Sequence, residues 1–198
     1  MFNPNERQYR SFVTVSAIPN DDKAPAYQVK GRAVVFDSPT CLFEFDGVKY
    51  FEIIDRNAFN ECDMSDVIMN YNHGGKVVAR LRNNTLKLVI GAEGVDIVAD
   101  LSGTEEGRKL YEEIRGGYID KMSFAFTVYD DGEEYDGETH TRTVKKIKKL
   151  YDVSAVDIPA YEETSLSARK SFAEEHAKEI ERLEYEYRRK LLLAKTLI

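Results

Sequence analysis

Gly116-Gly117-Tyr118-Ile119-Asp120-Lys121-Met122-Ser123-Phe124-Ala125-Phe126 is the stretch from which the rest of the chain can be read. A glycine pair closes a charged, helix-forming run, and strict alternation follows. Side chains on a strand alternate between faces, so Met122, Phe124 and Phe126 share one face and Ser123, Ala125 and Thr127 the other. The first face asks for an apolar cover. The second offers small side chains and a hydroxyl. Ser123 is then either a packing residue or a nucleophile with room around it, and periodicity leaves both open.

Immediately upstream, Thr104 offers a hydroxyl N-cap, Glu105 and Glu106 fall in the first turn where the helix dipole favours them, and Gly116 suits the C′ position. Leu110, Tyr111 and Ile114 give that helix its apolar face. Further out, 8–18 and 27–36 read as strands around a Pro19-Asn20-Asp21-Asp22 turn, and Asp46-Gly47 suits a type I′ hairpin. Asp55 is placed to cap a short helix over 56–62. A strand over 67–72 ends at His73-Gly74-Gly75, Asn83-Asn84 reads as a second hairpin between 77–81 and 86–90, and 95–101 alternates. Downstream, an acidic loop over 130–138 leads into one strand over 141–157, which Pro159 closes. The predicted fold class is mainly β (α+β), an antiparallel barrel, closed or nearly so, with flanking helices.

After Tyr161 the composition changes. Residues 166–198 contain no Gly or Pro, and Ile180, Leu183, Tyr187, Leu191 and Ala194 recur at the helical period. The expectation is a barrel domain over 1–162 and a long helical tail over 163–198. Its apolar stripe meets a partner, such as a second copy, or folds back on its own domain.

The chain of 198 residues can bury one sizeable core plus an appendage. A net charge of −7 argues against a general nucleic-acid surface, the run Lys145-Lys146-Ile147-Lys148-Lys149 being the local exception. No apolar run approaches the ~20 residues of a membrane span. The N-terminus lacks a secretory pattern, and Cys41 and Cys62 lack metal-ligand or CxxC spacing, so two reduced thiols in a cytosolic protein are expected.

Only three histidines exist. His176 falls in the tail among glutamates and His140 in the acidic loop, both with the signature of solvated residues. His73 ends an apolar strand beside two glycines, a way for a scaffold to present a base, although a structural histidine would sit there equally well. A serine hydroxyl attacks only when a base takes its proton, and that base needs a third group to fix its tautomer. Asp152, within Leu150-Tyr151-Asp152-Val153-Ser154, supplies a carboxylate that is either paired there or simply exposed; period 2 places it with Leu150 and Ser154. No GxSxG elbow, phosphate loop, dinucleotide fingerprint or HExxH occurs.

Several separated motifs resemble one family. Gly31-Arg32-Ala33 with Phe36, Glu52 with Arg56-Asn57-Ala58-Phe59, Asn72-His73 with Ala79-Arg80, the segment 117–126, and Asp152-Val153-Ser154-Ala155-Val156 followed by Pro159-Ala160-Tyr161 occur in the order found in tailed-phage prohead proteases of the HK97 type. The resemblance spans roughly 28–162. It implies an assemblin-like β-barrel serine endopeptidase, related in fold to herpesvirus maturation proteases, with Ser123 as nucleophile and His73 as base. The family commonly has an acid, often Glu, where this chain has Asp152, so the shorter side chain must be brought closer to His73. The oxyanion donors implied by position lie near Ala160 and Tyr161.

The resemblance further implies cleavage of capsid scaffold, of the major capsid protein's delta segment and of the protease itself, inside the assembling prohead in the host cytoplasm. It implies no metal or organic cofactor, no membrane and no direct nucleic-acid partner, and a homodimer through the tail is compatible with it. Two other readings compete: a non-enzymatic β-barrel capsid scaffold or decoration protein with a coiled-coil arm, and a hydrolase using acids such as Asp96 and Asp100.

Overall fold

The computed structural model describes residues 7–19, 27–45 and 47–157, together with Arg182, Tyr185, Arg188 and Arg189 of the tail. The strands among them are β1 (Gln8–Ala17), β2 (Gln28–Val35), β3 (Thr40–Phe45), β4 (Val48–Ile54), β5 (Ile68–Tyr71), β6 (Gly74–Arg80), β7 (Leu86–Ile90), β8 (Gly94–Asp100), β9 (Lys121–Val128), β10 (Glu133–Asp136), β11 (Thr141–Val144) and β12 (Ile147–Val156). One α-helix, α1 (Glu105–Arg115), precedes β9. An eight-stranded sheet runs β6-β5-β12-β9-β1-β2-β8-β7, and a four-stranded sheet runs β10-β11-β4-β3.

The alternation in β9 explains its central place. Met122, Phe124 and Phe126 are fully buried and join Leu150, Val153 and Ala155 of β12 in the main core. The Phe124 and Phe126 rings stack with centroids 4.9 Å apart. Each such side chain removed from water contributes about 1.5–3 kcal/mol, which is why this face must be covered. On the same side, α1 contributes Leu110, Tyr111 and Ile114.

The N-terminus of α1 follows expectation, with the Thr104 hydroxyl accepting from the Gly107 N–H at 2.9 Å. Its C-terminus differs by one residue. Gly116 stays right-handed, and Gly117, at φ 73°, turns left-handed. The Gly117 N–H reaches the Ile114 carbonyl (3.1 Å) and the Tyr118 N–H the Glu113 carbonyl (3.0 Å), the paired bonds of a Schellman stop. The glycine pair thereby turns the chain directly into β9.

Four expectations are corrected. The sheet is not a closed antiparallel barrel: β6 and β7 are its two unpaired edges among the described strands, and β5/β12 and β4/β11 run parallel. The Asn83-Asn84 hairpin is absent; a 3-10 turn over Leu81–Asn83, closed by left-handed Asn84, carries the chain from one edge of the curled sheet to the other. Residues 56–62 form successive turns instead of a helix. The Asp55 carboxylate takes the Asn57 N–H (2.7 Å), and the Ala58 carbonyl is claimed by the Ile147 N–H (2.8 Å), which removes the acceptor a helix would need. The single strand over 141–157 breaks at Lys145-Lys146 into β11 and β12, which belong to different sheets.

The acidic loop contains β10 and folds onto the basic run, with Lys145 paired to Glu134 and Lys146 to Asp131. The expected long tail helix and most of 163–198 lie outside the described residues, of which the four isolated tail positions are helical. No helix among the described residues is long and apolar enough to cross a membrane.

Candidate active site

Ser123 sits in the middle of the large sheet, opposite Ser154 of β12. On that neighbouring strand the register slips between Leu150 and Asp152, leaving Tyr151 as an extra residue. A one-residue slip exchanges the faces of everything beyond it. Leu150 therefore points into the core with its partner Phe126, while Asp152, opposite Ala125, joins Ser123 and Ser154 on the other face. The expected grouping of Leu150 with Asp152 is broken by this bulge, and the bulge is what delivers the carboxylate.

His73 arrives from the neighbouring hairpin. Tyr71 of β5 pairs with Gly74 of β6, and the two loop residues, Asn72 (φ 49°) and His73 (φ 56°), are both left-handed. A two-residue hairpin loop of type I′ needs positive φ at both positions, which Asn tolerates and His resists by ~1–2 kcal/mol. The surroundings hold the strained residue. The Asn72 N–H donates to the Ala155 carbonyl (3.0 Å), and its side-chain oxygen accepts from the Asp157 N–H (3.2 Å). The Tyr9 ring of β1 meets the imidazole edge-on, centroids 4.5 Å apart.

The three candidates come together in one hydrogen-bonded line. His73 Nδ1 lies 2.6 Å from Asp152 Oδ1, and His73 Nε2 lies 2.5 Å from Ser123 Oγ. The consistent tautomer carries its proton on Nδ1, donates it to the carboxylate and leaves Nε2 to accept from the serine hydroxyl. Asp152 also receives the Ser154 hydroxyl at 2.7 Å, and Ser154 contacts Asn70 of β5. Ser123, Asp152, Ser154 and Asn70 are all buried. The short Asp side chain is thus close enough to His73 without a longer acid.

Other candidates fall elsewhere. His140 packs against Tyr50 at 5.2 Å, in the small sheet. Asp96 binds Arg32 (2.8 Å) and Asp100 takes the Ser102 N–H (2.9 Å), so each has a local structural partner. His176, Ala160 and Tyr161 lie outside the described residues. Tyr9 and Asn70 escaped the sequence reading, because nothing in a strand's local pattern says which distant strand it will border. A hollow of about 840 Å³ opens between β6 and α1, lined by Tyr71, Lys76, Val78, Leu110 and Tyr118 among others but by none of the three candidates.

The family described as caudovirus prohead serine protease matches residues 15–179. Among solved structures, the bacteriophage T4 capsid assembly protease is similar over 77% of this chain and 99% of its own, at 14% identity and a TM-score of 0.49. No curated protein matches the chain. A match over most of the chain settles the family: this protein belongs to the caudovirus prohead serine proteases.

Proposed function

We propose that Ser123 is the nucleophile of this prohead protease, His73 its general base and acid, and Asp152 the group that orients the imidazole. The observation that carries the assignment is the unbroken Ser123–His73–Asp152 line, with both contacts within hydrogen-bond distance. As Ser123 Oγ attacks the scissile carbonyl, its proton passes to His73 Nε2, and the imidazolium is stabilised by the buried carboxylate. The same proton then goes to the leaving amine. Water activated by His73 hydrolyses the acyl-enzyme. Ser123 has no exposed surface, so entry of a polypeptide accompanies a local opening of the site.

The substrates fitting this reading are the delta or scaffold segment of the major capsid protein and the protease itself, met inside the prohead. The tail over 163–198 is read as an assembly or dimerisation segment that peptide-bond chemistry does not need; deleting it should spare peptide cleavage and reduce incorporation into proheads. The central test is co-expression with the capsid protein and mass spectrometry of the product. Ser123→Ala should abolish the shortened capsid product while shells still assemble. Processing at the parental rate would exclude Ser123 as nucleophile.

A further inference from the structure

We propose that Ser154 and Asn70 form a positioning relay behind the triad, in which the Asn70 amide donates to the Ser154 hydroxyl and that hydroxyl donates to Asp152. The inference rests on the assignment of Ser123, His73 and Asp152 made above. Ser154 Oγ lies 2.7 Å from Asp152 Oδ1 and within hydrogen-bond distance of the atom placed as Asn70 Oδ1. A hydroxyl has one proton and cannot donate to a carboxylate and an amide oxygen together. Turning the Asn70 amide over resolves this, because its NH₂ then donates to Ser154 and releases the hydroxyl proton to the carboxylate.

The setting makes the polarity consequential. Asn70 is 5% exposed, Ser154 0% and Asp152 4%, so no solvent competes for these bonds. A buried carboxylate is held in place by the donors it is given, and here one oxygen, Oδ1, receives both His73 Nδ1 and Ser154 Oγ. The relay also closes a ring through the backbone. Asn70 lies on β5, directly before the Tyr71–Gly74 hairpin that carries His73, and β5 pairs in parallel with β12, which carries Asp152 and Ser154. The base's own hairpin is thereby tied to the acid it must meet.

The test compares Ser154→Thr with Ser154→Val in the full chain. The two replacements share a shape and differ in the hydroxyl, so crowding is common to both and the donor is not. Ser154→Ala adds a variant with no extra volume. Two readouts are taken: cleavage of a capsid-derived peptide, and the NMR resonance of the His73 Nδ1 proton. Losing a hydrogen bond to a charged group should lower kcat about tenfold or more in the Val and Ala variants. In those variants KM should stay within about twofold, and the proton resonance should move upfield as the bond to Asp152 loosens. Ser154→Thr should keep kcat within about threefold of the parent, and the resonance in place. Equal kcat and equal resonance in the Thr and Val variants would overturn the relay. If the parent itself fails to cleave, the triad assignment falls, while the resonance still decides whether Ser154 orients Asp152.

Discussion

At the scale of single residues, Asp152 shows how a local irregularity redirects a side chain. Without the bulge at Tyr151 it would face the core beside Phe124; with it, the carboxylate reaches His73 at 2.6 Å. In the proposed triad its role is to select the tautomer as much as to supply charge. In Asp152→Asn the amide NH₂ would face Nδ1, move the ring proton to Nε2 and leave His73 unable to accept from Ser123. We expect kcat to fall by roughly 10²–10⁴, with thermal stability little changed because the shape is kept. Peptide-cleavage kinetics beside a melting curve check this; a fall of less than threefold would mean that His73 is oriented by other groups. Sequence periodicity alone left Asp152 undecided between paired and exposed, since a bulge leaves no mark in the pattern of a strand.

At the scale of elements, α1 provides a case where propensity and packing point in opposite directions. Gly107 lies in its first turns, where replacing glycine by alanine ordinarily gains about 0.5–1 kcal/mol. Here a Cβ would stand 2.4 Å from the Leu101 carbonyl oxygen and 2.9 Å from the Thr104 hydroxyl that caps the helix. Both contacts are too close to be relieved without moving the backbone or losing the cap. Gly107→Ala should therefore destabilise by about 1–3 kcal/mol, measured by urea unfolding, and a stabilised variant would show that the loop before α1 yields easily. The elements differ in how legible they were. Thr104, the paired glycines and the alternation of β9 are local signals, and they mark the helix and the central strand within a residue or two. Asn83-Asn84 also looks like a local hairpin signal, yet β6 and β7 end at opposite edges of the sheet. Pairing is decided by which strands bury the most surface together, and that is a long-range matter. His73 was legible as a candidate for a related reason. Its placement beside glycines and after an apolar strand is local, whereas its left-handed backbone became visible only with the hairpin pairing.

At the scale of the whole molecule, a buried ionic cluster joins the two sheets. Glu52 of β4 is fully buried and receives Arg10 of β1 (Nε to Oε1, 2.5 Å) and Arg142 of β11. Arg142 also reaches Glu133 of β10 and, at 2.8 Å, the Gln8 side-chain oxygen of β1. Burial alone would push the Glu52 carboxyl up, but the two guanidiniums outweigh it and hold the group below its ordinary value. Because the folded state binds this proton less readily than the unfolded chain, the contribution is fully present above the unfolded value of 4.5 and is lost as pH falls below it towards the folded one. Removing the charge takes the shared carboxylate from two buried guanidiniums, of which Arg142 keeps Glu133, so Glu52→Gln should cost about 3–5 kcal/mol at neutral pH. The cost should shrink as pH drops through that window, since the parent then loses the same charge by protonation. Urea unfolding of parent and variant across pH 3–7 reads the difference directly, and the other carboxylates cancel in it; parallel curves would mean that Glu52 is not held ionised. The cluster also has a bearing on the site. Arg10 and Gln8 point to the core side of β1, and between them Tyr9 points to the other side, against the His73 ring. Acid that loosens the cluster should therefore loosen the support behind His73. The Glu52→Gln variant should then lose peptide cleavage at a lower temperature than the parent, before its global unfolding transition. Coincident loss of activity and fold in both proteins would confine the cluster to joining the sheets.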